Sequence, residues 1–166
     1  MNFLEIEGIS KSFRGLKAVA NASFKVPGGA IVALIGPNGA GKTTCFNMIA
    51  GVFAPDAGKI LFQGKPIHGL RPDQVCAIGV GRTFQIVKPF AGLSVLDNVI
   101  VGALQREGSV SSARVFSLAL LEKLKLDAKK DLPASSLTLP DRKRLEVARA
   151  LATRPTLLLL DEVMAG

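Results

Sequence analysis

The chain has 166 residues, 48% of them hydrophobic, and no low-complexity tract, which suits one domain with a real core and excludes a disordered segment. No apolar run approaches the ~20 residues of a membrane helix, and Met1-Asn-Phe-Leu-Glu-Ile-Glu7 reads as no signal peptide, so a cytoplasmic location is expected. The net charge of +8 is scattered from Lys11 to Arg154, and all nine aromatics are Phe with no stacking array, so charge alone names no nucleic-acid partner.

In chain order, Phe3 to Ile9 alternates apolar and acidic residues and predicts a half-buried strand. A second strand is expected over Ala22 to Val26, ended by Pro27-Gly28-Gly29. Ala30 to Ile35 is a near-continuous apolar run, the pattern of a strand covered on both faces. The loop Gly36-Pro-Asn-Gly-Ala-Gly-Lys-Thr43 follows, and a helix is expected from Lys42 to Ala50. Lys59 to Gln63 predicts a short strand, Gly64-Lys-Pro66 a turn, Arg71 to Cys76 a short helix and Gly79 to Phe84 a strand. From Ser94 the period becomes helical, with Val95, Val99 and Ala103 on one face. A helix from Ala113 to Lys125 is expected to be capped by Ser111 or Ser112, and a solvated link runs from Lys125 to Leu132. Asp141 to Ala152 predicts a helix burying Leu145, Ala148 and Leu151 or Ala152, and Leu157 to Leu160 a buried strand. The expected fold is α/β, with a helical insert over about residues 94–152 between core segments 1–93 and 153–166.

The loop at 36–43 fits the phosphate-binding pattern in its full strand–loop–helix setting. Glycines let successive N–H groups turn toward a polyphosphate, Lys42 supplies a point charge to its outer phosphates, and the Thr43 hydroxyl suits Mg²⁺. The N-terminal end of the following helix adds partial positive charge. A dinucleotide fingerprint is poorly supported, because Gly39-Ala-Gly41 is followed by Lys-Thr-Thr and no third glycine stands at the required spacing. The run Leu157 to Leu160 ends in Asp161 and Glu162. A buried strand delivers such acids to the crevice where α/β sheets bind ligands, so Asp161 is assigned to Mg²⁺ and Glu162 to the attacking water. Gln85, just past the predicted strand, offers a neutral amide to Mg²⁺ or that water.

Ser12-Phe13 with Leu16-Lys-Ala-Val19, the loop Gly36 to Thr44, Gly81-Arg-Thr-Phe-Gln85, and Leu145 to Ala152 before Leu157 to Glu162 together resemble ATP-binding subunits of ABC transporters. Leu93 to Gly102 and Arg144-Leu-Glu-Val-Ala-Arg149 are similar to the subunits of branched-chain amino-acid importers. The resemblance implies a P-loop NTPase core with an N-terminal antiparallel β subdomain and a helical insert. It implies ATP and Mg²⁺ as ligands, Phe13 against the adenine, and a Walker A loop of Gly36, Pro37, Asn38, Gly39, Ala40, Gly41, Lys42, Thr43 and Thr44. Gln85 matches the Q-loop, Asp161 the Walker B acid and Glu162 the general base. The implied partners are a second, different ATP-binding subunit and integral-membrane permease subunits, without nucleic acid. The implied place is the inner face of the cell membrane.

Two departures stand out. Where the family has Leu-Ser-Gly-Gly-Gln, this chain has Leu137-Thr-Leu-Pro-Asp141. Thr138 replaces the serine hydroxyl, Pro140 removes an N–H, and Asp141 brings a carboxylate that Arg142 and Lys143 are expected to offset. The chain also ends at Gly166, so it is read as a fragment without the family's C-terminal strands and switch histidine, aggregation-prone, with hydrolysis conditional on the complete subunit. His68, the only histidine, is expected in a surface turn. The alternatives are a non-transport ABC ATPase acting on nucleic acid or ribosomes, and a nucleotide-binding fragment that does not hydrolyse.

Overall fold

Alternation of apolar and polar residues builds the first sheet. In the computed structural model, which describes residues 2–84 and 89–161, strand β1 (Asn2–Phe13) pairs antiparallel with β2 (Leu16–Pro27) on one side and β3 (Ala57–Phe62) on the other. A short β4 (Lys65–Pro66) completes the order β2-β1-β3-β4. Arg14 and Gly15 join β1 to β2 with φ of 48° and 85°, the doubly positive turn that matches the twist of a hairpin. Leu4 and Ile6 of β1 and Ile60 and Phe62 of β3 face the core, each burial being worth about 1.5–3 kcal/mol. The register shifts between Ile6 and Ile9, which returns Ile9 to the buried face. Both predicted strands are therefore present and longer than expected.

The chain divides into two units, Met1–Val75 and Cys76–Gly166. The first unit also holds helix α1 (Lys42–Ile49), whose Cys45, Met48 and Ile49 are buried. Residues 30–35 differ from expectation: they form no strand. Ile31 is 102% exposed and Ile35 90%, although both belong to the most apolar run before the loop. A strand is stabilised by ladder partners rather than by composition, and among the described residues none pairs with this stretch. Helix α2 (Pro72–Ala77) forms as expected, and His68 lies exposed in a turn.

The second unit holds β5 (Val80–Arg82) and β6 (Leu157–Leu159), paired in parallel with Val80 opposite Leu157 and Arg82 opposite Leu159. Of β6 only Leu159 is buried, so its expected full burial is corrected: β5 is its one ladder partner among the described residues. Helices α3 (Val95–Ala103), α4 (Val110–Lys123) and α5 (Leu139–Ala152) pack around Val95, Val99, Leu121, Leu145, Ala148 and Ala152. Ser94 caps α3 by accepting from the Asp97 N–H. The cap of α4 is Ser109, which accepts from the Ser112 N–H, rather than Ser111 or Ser112, because the helix begins three residues earlier than expected. The link after α4 is less solvated than expected: Leu126 is buried and Asp127–Lys129 make a 3-10 turn. No helix among the described residues is long and apolar enough to cross a membrane.

Candidate nucleotide-binding site

In the first unit the loop at 36–41 is wrapped by its glycines. Gly39 and Gly41 have φ of 83° and 86°, and Gly41 is the N-cap of α1 in the left-handed conformation. A Cβ at Gly41 would sit 2.2 Å from the Ala18 carbonyl oxygen of β2, so that position excludes any side chain on two grounds. The first turn of α1 carries no acid, and no side chain caps it. The helix itself therefore sets no acid of its own against the partial positive charge of its first turn.

Lys42 Nζ donates to the carbonyls of Gly36 (2.6 Å) and Pro37 (2.8 Å), which folds the loop around the ammonium. Ala40 N donates to Pro37 O at 3.1 Å, tightening the same turn. Pro37, Asn38, Gly39 and Ala40 are exposed, whereas Thr43 and Thr44 are half-buried in the first turn of α1. Behind them Cys45 is buried, and burial pushes its thiol up to about 11. Phe13, at the end of β1, is 38% exposed; its ring meets Phe53 edge-on at 5.2 Å and has Lys11 Nζ 5.9 Å away.

In the second unit Asp161 follows β6 and is buried. Its N–H donates to Thr83 Oγ1 at 3.2 Å, and its carboxylate lies 3.5 Å from Arg82 Nη2, also buried. Desolvation lowers the pKa of Arg82, and Asp161 acts in the opposite direction. The Arg82 guanidinium also stands 5.0 Å from the centre of the Phe84 ring. Sequence reasoning missed Arg82 as a counter-ion; the parallel register of β5 and β6 brings the two residues together. Gln85 and Glu162 lie outside the described residues.

The altered segment 137–141 forms the start of α5, with Thr138 as N-cap and Pro140 in the first turn. Asp141 does not project outward. Its side chain is 7% exposed, and it takes a hydrogen bond from Thr138 Oγ1 at 2.8 Å, another from Lys129 Nζ, and an ion pair with Arg144 at 3.4 Å. Lys129 and then Thr138 hold the Asp141 carboxyl below the usual carboxylate range. The expected offset by Arg142 and Lys143 is corrected accordingly. Arg142 instead donates to the carbonyls of Leu137 (2.9 Å) and Ser135 (2.6 Å), and the partners of Asp141 are Lys129 and Arg144. Lys129 was not legible in the sequence, because it stands twelve residues upstream in the presumed solvated link.

Residues 19–165 match the family model described as ABC transporter. The chain is 39% identical to the high-affinity branched-chain amino acid transport ATP-binding protein LivG of Escherichia coli K12, over 98% of this chain and 70% of that protein. It is 37% identical to the probable branched-chain amino acid transport ATP-binding protein LivG of Archaeoglobus fulgidus, over 100% of this chain and 69% of the other. Among solved structures, the ADP conformation of the ABC-transporter cassette MJ1267 superimposes with a TM-score of 0.84 at 32% identity, over 100% of this chain and 70% of that one.

Proposed function

This chain belongs to the ABC transporter family, and from that premise we propose that it is the ATP-binding subunit of an importer of branched-chain or related amino acids. Nucleotide binding comes with the family; uptake of these solutes is carried over from the names of its relatives. The observation that carries the reading is the loop at 36–43, with its left-handed glycines, its acid-free helix end and Lys42 at its centre. No observation favours a nucleic-acid or ribosomal role.

We assign the amides of Gly36, Asn38-Gly-Ala40, Gly41 and Thr44 and the Lys42 ammonium to the polyphosphate. Pro37 takes part through the turn it shapes, since it has no N–H. Lys42 must exchange its two loop carbonyls for phosphate oxygens as ATP enters. Phe13 offers an aromatic face to the adenine. Thr43, Gln85 and Asp161 are the proposed holders of Mg²⁺, and the set fits it: oxygen donors with a single carboxylate suit a cation that takes its remaining oxygens from phosphates and water. When bound, Mg²⁺ neutralises the charge that develops on the transferred phosphate. Glu162 accepts the proton of the attacking water, and Arg82 keeps Asp161 in place at the end of β6.

The proposed partners are a second ATP-binding subunit, different from this one, and membrane permease subunits that hold the pair at the inner face of the cell membrane. The test is a combined one. Lys42→Ala should lose ATP retention, Glu162→Gln should keep ATP and stop turnover, and the wild type should co-purify with a permease. Retention on nucleic acid at moderate salt without a permease would overturn the transport reading.

A further inference from the structure

Phe13 stands where the first sheet runs out of partners on one side. β3 begins at Ala57, opposite Ser10, so residues 11–13 of β1 pair only with β2 among the described residues. Asp56, the residue just before β3, fills that gap with its side chain. One carboxylate oxygen accepts the Ser12 N–H at 2.8 Å, and the other accepts from Lys11 Nζ at 2.7 Å. The Asp56 N–H in turn donates to the Ser10 carbonyl at 2.8 Å. A single residue thus fixes Ser10, Lys11 and Ser12 before the chain reaches Phe13.

The ring itself is held from another element. Phe53, half-buried, meets it edge-on with an interplanar angle of 71°. Phe53 lies just beyond α1, and its N–H donates to the Asn47 carbonyl of that helix at 3.4 Å, as the Val52 N–H does at 2.9 Å. Helix α1 therefore carries the phosphate loop at one end and the support of the ring at the other, ~12 Å apart. Stability does not require this arrangement. The Asp56 carboxylate is exposed, where an ion pair contributes little, and a ring as open as Phe13 adds little to the core.

We propose that Asp56 and Phe53 are positioning residues for the nucleobase. Asp56 fixes the main chain that carries the Phe13 ring, and Phe53 ties the ring's orientation to the helix behind the phosphate loop. The base is then stacked without first having to order the end of the hairpin, so more of the stacking energy reaches affinity. This rests on the assignment of Phe13 to the adenine made above.

The experiment measures, by calorimetry on the full chain, the affinities for ATP and for tripolyphosphate, which has the phosphates without the base. Lys42→Ala should weaken both ligands. Phe13→Ala should weaken ATP about tenfold and tripolyphosphate hardly at all. Asp56→Ala and Phe53→Leu should each still melt cooperatively and lower the ratio of the two affinities about threefold or more. Asp56→Asn loses the same charge as Asp56→Ala but keeps an acceptor for the Ser12 N–H, and should recover most of that ratio. The double variant Phe13→Ala/Phe53→Leu should lower the ratio no further than Phe13→Ala alone. A merely structural role would weaken the two ligands equally, and an unmoved ratio at Asp56 or Phe53 would overturn the proposal for that residue. A ratio unmoved by Phe13→Ala would overturn the adenine assignment, and the positioning role with it. Tripolyphosphate binding unmoved by Lys42→Ala would overturn the phosphate loop itself.

Discussion

The first turns of α1 and α5 are two helix starts that a phosphate-binding protein uses alike, and here they are built in opposite ways. At α1 the cap is a left-handed glycine, no acid stands in the first turn, and the nearest charge is the Lys42 ammonium. At α5 the cap is Thr138, the first turn contains Pro140, and the internal carboxylate of Asp141 already occupies the Thr138 hydroxyl and two cations. A helix end attracts an external anion when its amides are bare and its field is uncompensated. The first start has a glycine cap and no acid of its own, whereas the second satisfies its own charge from within. In the proposed reading ATP is retained at the loop at 36–43, while 137–141 is a corner held by its own ion pairs.

The contrast breaks most severely at Gly41. Gly41→Ala pushes a Cβ against the Ala18 carbonyl and forces a left-handed φ on alanine, so it should lose about 3 kcal/mol or more of stability and all measurable ATP binding. Denaturant melts and ATP titration check both. The converse change gives α5 the chemistry of α1. Leu139→Gly with Pro140→Gly should raise turnover of the assembled transporter several-fold, because it supplies an amide that Pro140 lacks while Lys129 keeps Asp141 neutralised. An unchanged rate would mean that the corner never faces a phosphate.

A smaller effect is expected at Asp141. Asp141→Asn should cost about 1–2 kcal/mol at neutral pH, less than a fully buried pair would, because Lys129 and Arg144 remain 41% and 50% exposed. The folded carboxyl is depressed, so its contribution is complete above the unfolded value near pH ~4 and is lost as the pH falls through the lower folded value. Acid titrations of stability should therefore show a shallower loss in Asp141→Asn than in the wild type. The smallest effect belongs to Thr138, which makes no side-chain bond to a helix amide. Thr138→Val should cost less than Ser94→Ala, which removes a true cap worth about 1 kcal/mol, and thermal melts of the two variants provide the check.

What was legible in the sequence was local. The phosphate loop, the start of α3 and the burial of Leu145, Ala148 and Ala152 depend on spacing within one turn or one helix, and spacing is visible in a string. The first strand was visible because alternation needs only the strand itself, whereas its antiparallel pairing was implied by the family resemblance. The stretch 30–35 was misread because an apolar run states what a strand would bury and says nothing of what would pair with it. The counter-ions escaped for a related reason. Arg82 meets Asp161 through a parallel register, and Lys129 meets Asp141 across a turn assumed to be solvated.

One small feature of the loop's helix provides a clock. Cys45 donates its N–H to Gly41 at 2.8 Å and keeps its thiol buried, so an alkylating reagent reaches it only when α1 opens. Cys76, half-exposed, is modified without that opening and serves as the internal reference. The ratio of the two labelling rates then reads how often the phosphate loop comes apart, and ATP should slow the first hand of that clock while leaving the second untouched.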